Sequence, residues 1–274
     1  MTIPIPRDPG IDVTDVPRHW AGGSPVATAI SNGINMLFPH GERFFVRSVH
    51  HFLDEIKDPT LLAQVKAFSK QEGHHARAHD ELNAVLRAQG FEIDRFLESY
   101  KRITSWIEGR LPAKVNLSGT AAAEHFTAIL AAGAFDKGIL DELHPTMQKL
   151  LAWHAAEEIE HKAVAFDVLQ QIDSSYALRL AGLVHATILL SAFWLWGSVM
   201  LLRQEKLGWR GLRRQLRGLR QGERARGDGP VITRVFMRGI RQYIRRDFHP
   251  SDNHNEQLAR TWFATHGMAF TEAA

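Results

Sequence analysis

Two Glu-x-x-His runs, two isolated glutamates and one extra histidine carry most of the chemistry this 274-residue chain can offer. Glu158 and His161 lie in LAWHAAEEIEH, Leu151 to His161, with His154 four residues before Glu158. Glu72 and His75 lie in KQEGHHARAHDEL, Lys70 to Leu82. On a helix, spacings of three and four put side chains on one face, so each run presents a stripe of metal donors. Glu42 in FPHGERFF and Glu124 in TAAAEHFTAILAAGAF sit among apolar or small residues, where an unpaired carboxylate is costly to bury. A dinuclear cation cluster would remove that cost. The chain has no cysteine, which excludes thiolate sites, disulfides and a thiol nucleophile, and leaves imidazole and carboxylate as the strong ligands.

These donors need helices to position them. Ser24-Pro25 and Asp58-Pro59 each pair an N-cap side chain with a proline at the first helical position. Helical pattern then runs from Ser24 towards Ile56, with a kink expected near Pro39 and Gly41, and from 59 to 89, where Gly90 fits a C′ residue. Gly73 costs that second helix about 1 kcal/mol relative to Ala, which points to close packing or a distortion there. Further helices are expected over 91–110, 118–136 and 145–172, with a turn at 137–145. Glu42 lies 16 residues before Asp58 and Glu72 lies 14 after it, so an antiparallel pair brings the two acids within about 3 Å of the same height. Glu124 and Glu158 flank the 137–145 turn in the same way. Two hairpins, each with a Glu opposite a Glu-x-x-His, make the pattern of an all-α, ferritin-like four-helix bundle with a di-iron or di-manganese site. The stretch from Gly90 to 117 is long enough for its single crossover.

The expected metal ligands are therefore Glu42, Glu72, His75, Glu124, His154, Glu158 and His161, the catalytic set being the same residues without His154. His154 is either a seventh ligand or a core histidine. Gln71 and Glu157 each precede a ligand glutamate and are placed to orient the imidazole of the opposite hairpin. His74, His79 and His125 read as packing or surface residues, and His50 and His51 carry no assignment. His249, in DFHPSDN, is a candidate on the substrate side.

The formal charge of +3 hides an asymmetry: residues 203–246 hold 14 Lys and Arg against three acids, leaving the remainder net negative. Before this segment, 180–202 runs 23 residues without a charge, bounded by Arg179 and Arg203, and is long enough to span a bilayer. His185, Thr187, Ser191 and Ser198 dilute it, so a buried helix or one laid in a membrane interface is favoured over a spanning one. The run LRRQLRGLRQGERARGD, Leu212 to Asp228, reads as a cationic surface for anionic headgroups. It has few aromatics for base stacking, which disfavours nucleic acid. A helix over 231–247 and one capped by Ser251 or Asp252 through Phe263 complete the chain. Three parts follow: an irregular arm 1–23 over the surface, a dinuclear metal-binding bundle 24–175, and a helical extension 176–274 packed on it. The proline-rich start, MTIPIPRDPG, is not a secretory signal, so a cytoplasmic protein, peripheral at the inner face of the membrane, is expected. A homodimer is a further expectation.

FPHGERFF, KQEGHHARAHDELN, WHAAEEIEHKAVAFDV and DFHPSDN together resemble the bacterial family labelled predicted metal-dependent hydrolases, over most of the chain. That resemblance implies metal dependence and hydrolysis. The His-x-x-x-Glu-x-x-His run at 154–161 is also similar to that of the di-iron arylamine N-oxygenases, which would make His154 an iron ligand. Carboxylate and imidazole donors with open positions suit two iron ions and dioxygen, and also manganese. The expected activity is therefore oxidation of a hydrophobic small molecule by dioxygen, with an electron donor that no motif names. Metal-dependent hydrolysis and non-catalytic iron binding are the alternatives.

Overall fold

The computed structural model describes residues 3–136, 138–225 and 231–269; Lys137, part of the basic segment (226–230) and both extreme ends lie outside the described residues. Among the described residues the chain is all-helical, with one isolated β-bridge between Ala21 and Leu143. The α-helices are α1 (Pro25–Asn35), α2 (Phe38–His50), α3 (Pro59–Ala88), α4 (Asp94–Glu108), α5 (Ala113–Asp136) and α6 (Pro145–His161). They continue with α7 (Val164–Ile172), α8 (Tyr176–Gln204), α9 (Trp209–Ala225), α10 (Val231–Tyr243) and α11 (Glu256–Thr265).

Helices α2, α3, α5 and α6 form the bundle around the candidate site. Each packs on two others of the four: α2 on α3 and α5, α6 on α5 and α3. Local chemistry sets the ends. The Ser24 and Asp58 side chains accept from the backbone N–H of Ala27 and Thr60, each ahead of a proline in the first turn. Gly90, at φ +84°, ends α3, a conformation that favours glycine, and the N–H of Phe91 then donates to the carbonyl of Leu86. Leu61, Val65, Phe68, Leu117, Phe126 and Phe166 fill the main core on one side of the bundle.

Several boundaries depart from the sequence pattern. The break between α1 and α2 falls at Met36-Leu37, before Pro39, which takes an early α2 position where its missing N–H is harmless. Helix α5 starts at Ala113, because the carbonyl of Pro112 accepts from Val115 and Asn116 and so opens the helix. The expected 145–172 helix is two, α6 and α7, interrupted at Lys162-Ala163. There the Lys162 ammonium is drawn to the carbonyl of Asn253, Asn255 and Glu256. The last helix starts at Glu256, not at Ser251 or Asp252, which lie in a 3-10 turn held by His249. Gly73 lies in an unbroken helix with nothing within 4 Å of where a Cβ would sit, so neither crowding nor distortion explains it.

The arm before Ser24 is irregular but does not simply run over the surface. Val13, Val16 and Trp20 are buried with Leu82, Leu150 and Trp153, because apolar side chains in a segment without its own helix can leave water only against α3 and α6. Helix α8 lies against α5 and α1 at small-residue contacts. A Cβ on Gly182 would meet backbone atoms of Ser118, and one on Gly33 would meet Ser198. Backbones approach closely at both points.

Candidate metal centre

The seven expected donors come from all four bundle helices and meet in the interior: Glu42 from α2, Glu72 and His75 from α3, Glu124 from α5, and His154, Glu158 and His161 from α6. All are buried. His161 Nε2 lies 3.2 Å from Glu72 Oε1, 3.2 Å from Glu124 Oε2 and 3.5 Å from Glu158 Oε2. His75 Nδ1 lies 3.7 Å from Glu72 Oε1 and 3.8 Å from Glu158 Oε1. His154 Nε2 lies 3.5 Å from Glu42 Oε1 and 2.9 Å from Glu158 Oε1. Donors held about 2.1 Å from one ion stand roughly 3.0–3.4 Å apart at octahedral or tetrahedral angles, close to the separations seen here.

Two groupings emerge. His161, Glu72, Glu124 and Glu158 surround one position; His75, His154, Glu42, Glu72 and Glu158 surround the other. Glu72 and Glu158 belong to both, and each is the first residue of a Glu-x-x-His run.

The polar bookkeeping of the interior supports a cation here. Both carboxylate oxygens of Glu42, Glu72 and Glu124, Oε2 of Glu158, Nδ1 of His75 and Nε2 of His161 are buried without a hydrogen-bond partner. Unsatisfied buried polar atoms are rare, and so many facing one another suit a bound cation. No Lys or Arg pairs with these four carboxylates among the described residues. Protons must then balance the charge. Burial first, and neighbouring carboxylates second, raise Glu42 well above the usual range and push Glu124 up to about 8. Burial opposes charge on His75 and His161 too, but Glu157 and Glu72 outweigh it for His75, pushed up to about 10, and Glu158 and Glu124 for His161. Four carboxylates would neutralise two divalent ions and displace these protons.

Each imidazole is held from behind by a different partner. His75 Nε2 meets Glu157 Oε2 at 3.0 Å, and His161 Nδ1 meets Gln71 Oε1 at 2.9 Å, so the residue before each Glu-x-x-His does cross to the opposite hairpin. His154 Nδ1 meets His79 Nε2 at 2.6 Å. His79, read from the sequence as a packing or surface residue, is fully buried and lies close enough to Glu42 and His154 to share an ion with them. Its position one turn beyond His75 was the available signal. Burial and the adjacent His154 lower its pKa, which keeps it neutral.

The arm closes this shell. Arg7 donates from its backbone N–H and Nη1 to Glu157 Oε1, and from Nη1 and Nη2 to Glu160, while Gln71 Nε2 donates to Glu160 Oε2. One guanidinium thus links the supports of both Glu-x-x-His imidazoles. The other histidines singled out in the sequence lie elsewhere: His74 on the carbonyl of Arg7, His125 on that of Gly239, His50 on Ser69, and His51 edge-on to Phe52. His249 is bonded to Asp167 and lines neither cavity described next, because α7 holds it away from them.

Two apolar cavities reach the donors. One, of about 110 Å³, is walled by α2, α4, α5 and α8 and touches Glu42; the other, of about 260 Å³, touches His154 and Glu158. Ile34, Phe38 and Thr127 line both, and the Phe38 ring packs on His79 and His154.

A helical bundle with a buried histidine–carboxylate cluster of this composition is the frame of a metal-binding protein. The sequence narrows the class: residues 5–254 match the family described as predicted metal-dependent hydrolase, and the chain belongs to that family. No curated protein and no solved structure matches it.

Proposed function

We propose that this chain is a ferritin-like dinuclear metalloenzyme that uses dioxygen to oxidise a hydrophobic small molecule. The observation that carries the reading is the set of unpartnered donor atoms on Glu42, Glu72, His75, Glu124, Glu158 and His161, converging in the buried interior. Two iron ions bound there would supply electrons for dioxygen reduction, a chemistry no side chain of this chain offers; manganese is the alternative metal. Four carboxylates holding the ions would favour a metal that gains charge when it reduces dioxygen. The same neutralisation weakens the pull on a bound water that hydrolysis needs.

The chain's own residues do the rest. Glu157, Gln71 and His79 fix the three rings, and the unshared nitrogens of His75 and His161 face the cluster. Leu37, Phe38, Phe44 and Phe45 line the cavity at Glu42, which excludes water and accepts an apolar substrate.

Hydrolysis is the second reading, favoured by the family's own description. Anaerobic loading with Fe(II), metal analysis, and rapid mixing with oxygen separate the two. Two metals per chain with a transient visible chromophore and oxygen uptake support oxidation. Two metals without oxygen uptake, with metal-dependent cleavage of aryl or alkyl esters, support hydrolysis. Fewer than one metal per chain would overturn both.

A further inference from the structure

Helix α8 is apolar enough to cross a membrane by length and composition, yet only a third of its most apolar window is buried by the protein. The uncovered part forms one stripe: Val184, Ile188, Leu195, Trp196 and Val199, at helical spacing, are all exposed, with Ile188 at 60% and Leu195 at 66%. Helix α4 lies beside it, through the ring contact of Phe96 with Trp196, and adds exposed Ile103 and Trp106. A monomer in water rarely leaves such a patch open.

Charge identifies what covers it. Helix α9 follows α8 after a short turn and carries Arg210, Arg213, Arg214, Arg217 and Arg220, all exposed, with no acid in 209–222 and no carboxylate partner among the described residues. Trp209, 69% exposed, opens this helix. On the α4 side, the Arg110 guanidinium lies over the Trp106 ring, and Lys101 and Arg102 of the same helix are exposed. An apolar stripe with tryptophans and an arginine-rich flank matches a bilayer surface with anionic headgroups, whereas a second copy of the chain would bring cationic flanks together.

We infer that the α4–α8 face, with α9, docks on an anionic lipid bilayer, and that the cavity reaching Glu42 takes its substrate from the lipid layer. The cavity supplies the link: Tyr100 and Ile107 of α4 and Leu189 and Phe193 of α8 line it, next to the exposed residues of the same helices. The substrate class, a lipid-dissolved molecule, rests on the oxidase reading; the docking does not, since it needs neither metal nor turnover.

The test is flotation of the full chain, metal-free and metal-loaded, with vesicles of phosphatidylglycerol and phosphatidylcholine or of phosphatidylcholine alone. Wild type is expected to float with the anionic vesicles and to be released by high salt. Each arginine at an anionic surface is worth about fivefold in partitioning, so replacing Arg210, Arg213, Arg214 and Arg217 with Gln should reduce binding at least about tenfold. Ile188→Glu with Leu195→Glu should abolish it while leaving metal stoichiometry and far-UV circular dichroism unchanged. Failure of wild type to float, or flotation indifferent to either set of substitutions, would overturn the inference. So would a dimer in solution that the α8 substitutions dissociate without any vesicle binding.

Discussion

Replacing Glu157 with Gln tests whether the two proposed metal positions are built differently. Glu157 is fully buried and accepts from His75 Nε2 at 3.0 Å through one oxygen and from Arg7 through the other. The amide would keep the shape but remove the charge, and Arg7 would retain its two-point contact with Glu160 at 2.8 and 3.0 Å. The fold should therefore survive. A charge-assisted hydrogen bond exceeds a neutral one by about 1 kcal/mol, and loss of a support behind a ligating imidazole typically weakens metal binding about 10- to 100-fold, or roughly 1.4–2.7 kcal/mol. The loss should fall on the position that His75 serves, because His161 leans on Gln71 instead. Titration with Mn(II) or Fe(II) against a chelator should show one affinity reduced by that factor and the other within about threefold of wild type. Equal weakening of both positions, or of neither, would refute the reasoning.

Glu72→Ala and Glu158→Ala each remove an acid common to both groupings and should abolish dinuclear binding; two metals per chain in either variant by elemental analysis would contradict the assignment. Above about pH 6.5, the unperturbed histidine value, the metal-free protein should lose stability as pH rises. Glu124 (about 8) and His75 (about 10) have raised values, so the stability their protons supply fades as pH passes through them. A melting temperature that falls from pH 6.5 to 10 without metal, and falls less with it, is the expected result. Gly182→Ala should destabilise by about 1–3 kcal/mol in urea unfolding, because its Cβ would collide with the Ser118 backbone. Gly73→Ala, in open space on α3, should instead stabilise by up to about 1 kcal/mol.

The donors were legible because their signal is local. Glu-x-x-His at spacing three, and a glutamate at nearly the same distance on the far side of an interhelical turn, survive any packing detail. Gly90 and Asp58 were readable for the same reason. Contacts between distant segments leave no period in the sequence. The pairing of His79 with His154 depends on the relative height of α3 and α6, and the Arg7 link to Glu157 spans 150 residues. The break at Lys162-Ala163 reflects the residues around Asn253 to Glu256, far along the chain, that gather about the Lys162 ammonium. Helical periodicity alone reads straight through it.

The Arg7 strap also orders assembly in time. During synthesis Arg7 emerges long before Glu157 and Glu160 exist, so it has nothing to grip until α6 is made and docked on α3. Joining segments so far apart in sequence costs loop-closure entropy before the contact repays it. The segment that is made first is then the one that closes over the donor cluster last. In the finished protein this short strap is not helical, so peeling it would break its contacts with Glu157 and Glu160 without disturbing a helix hydrogen bond.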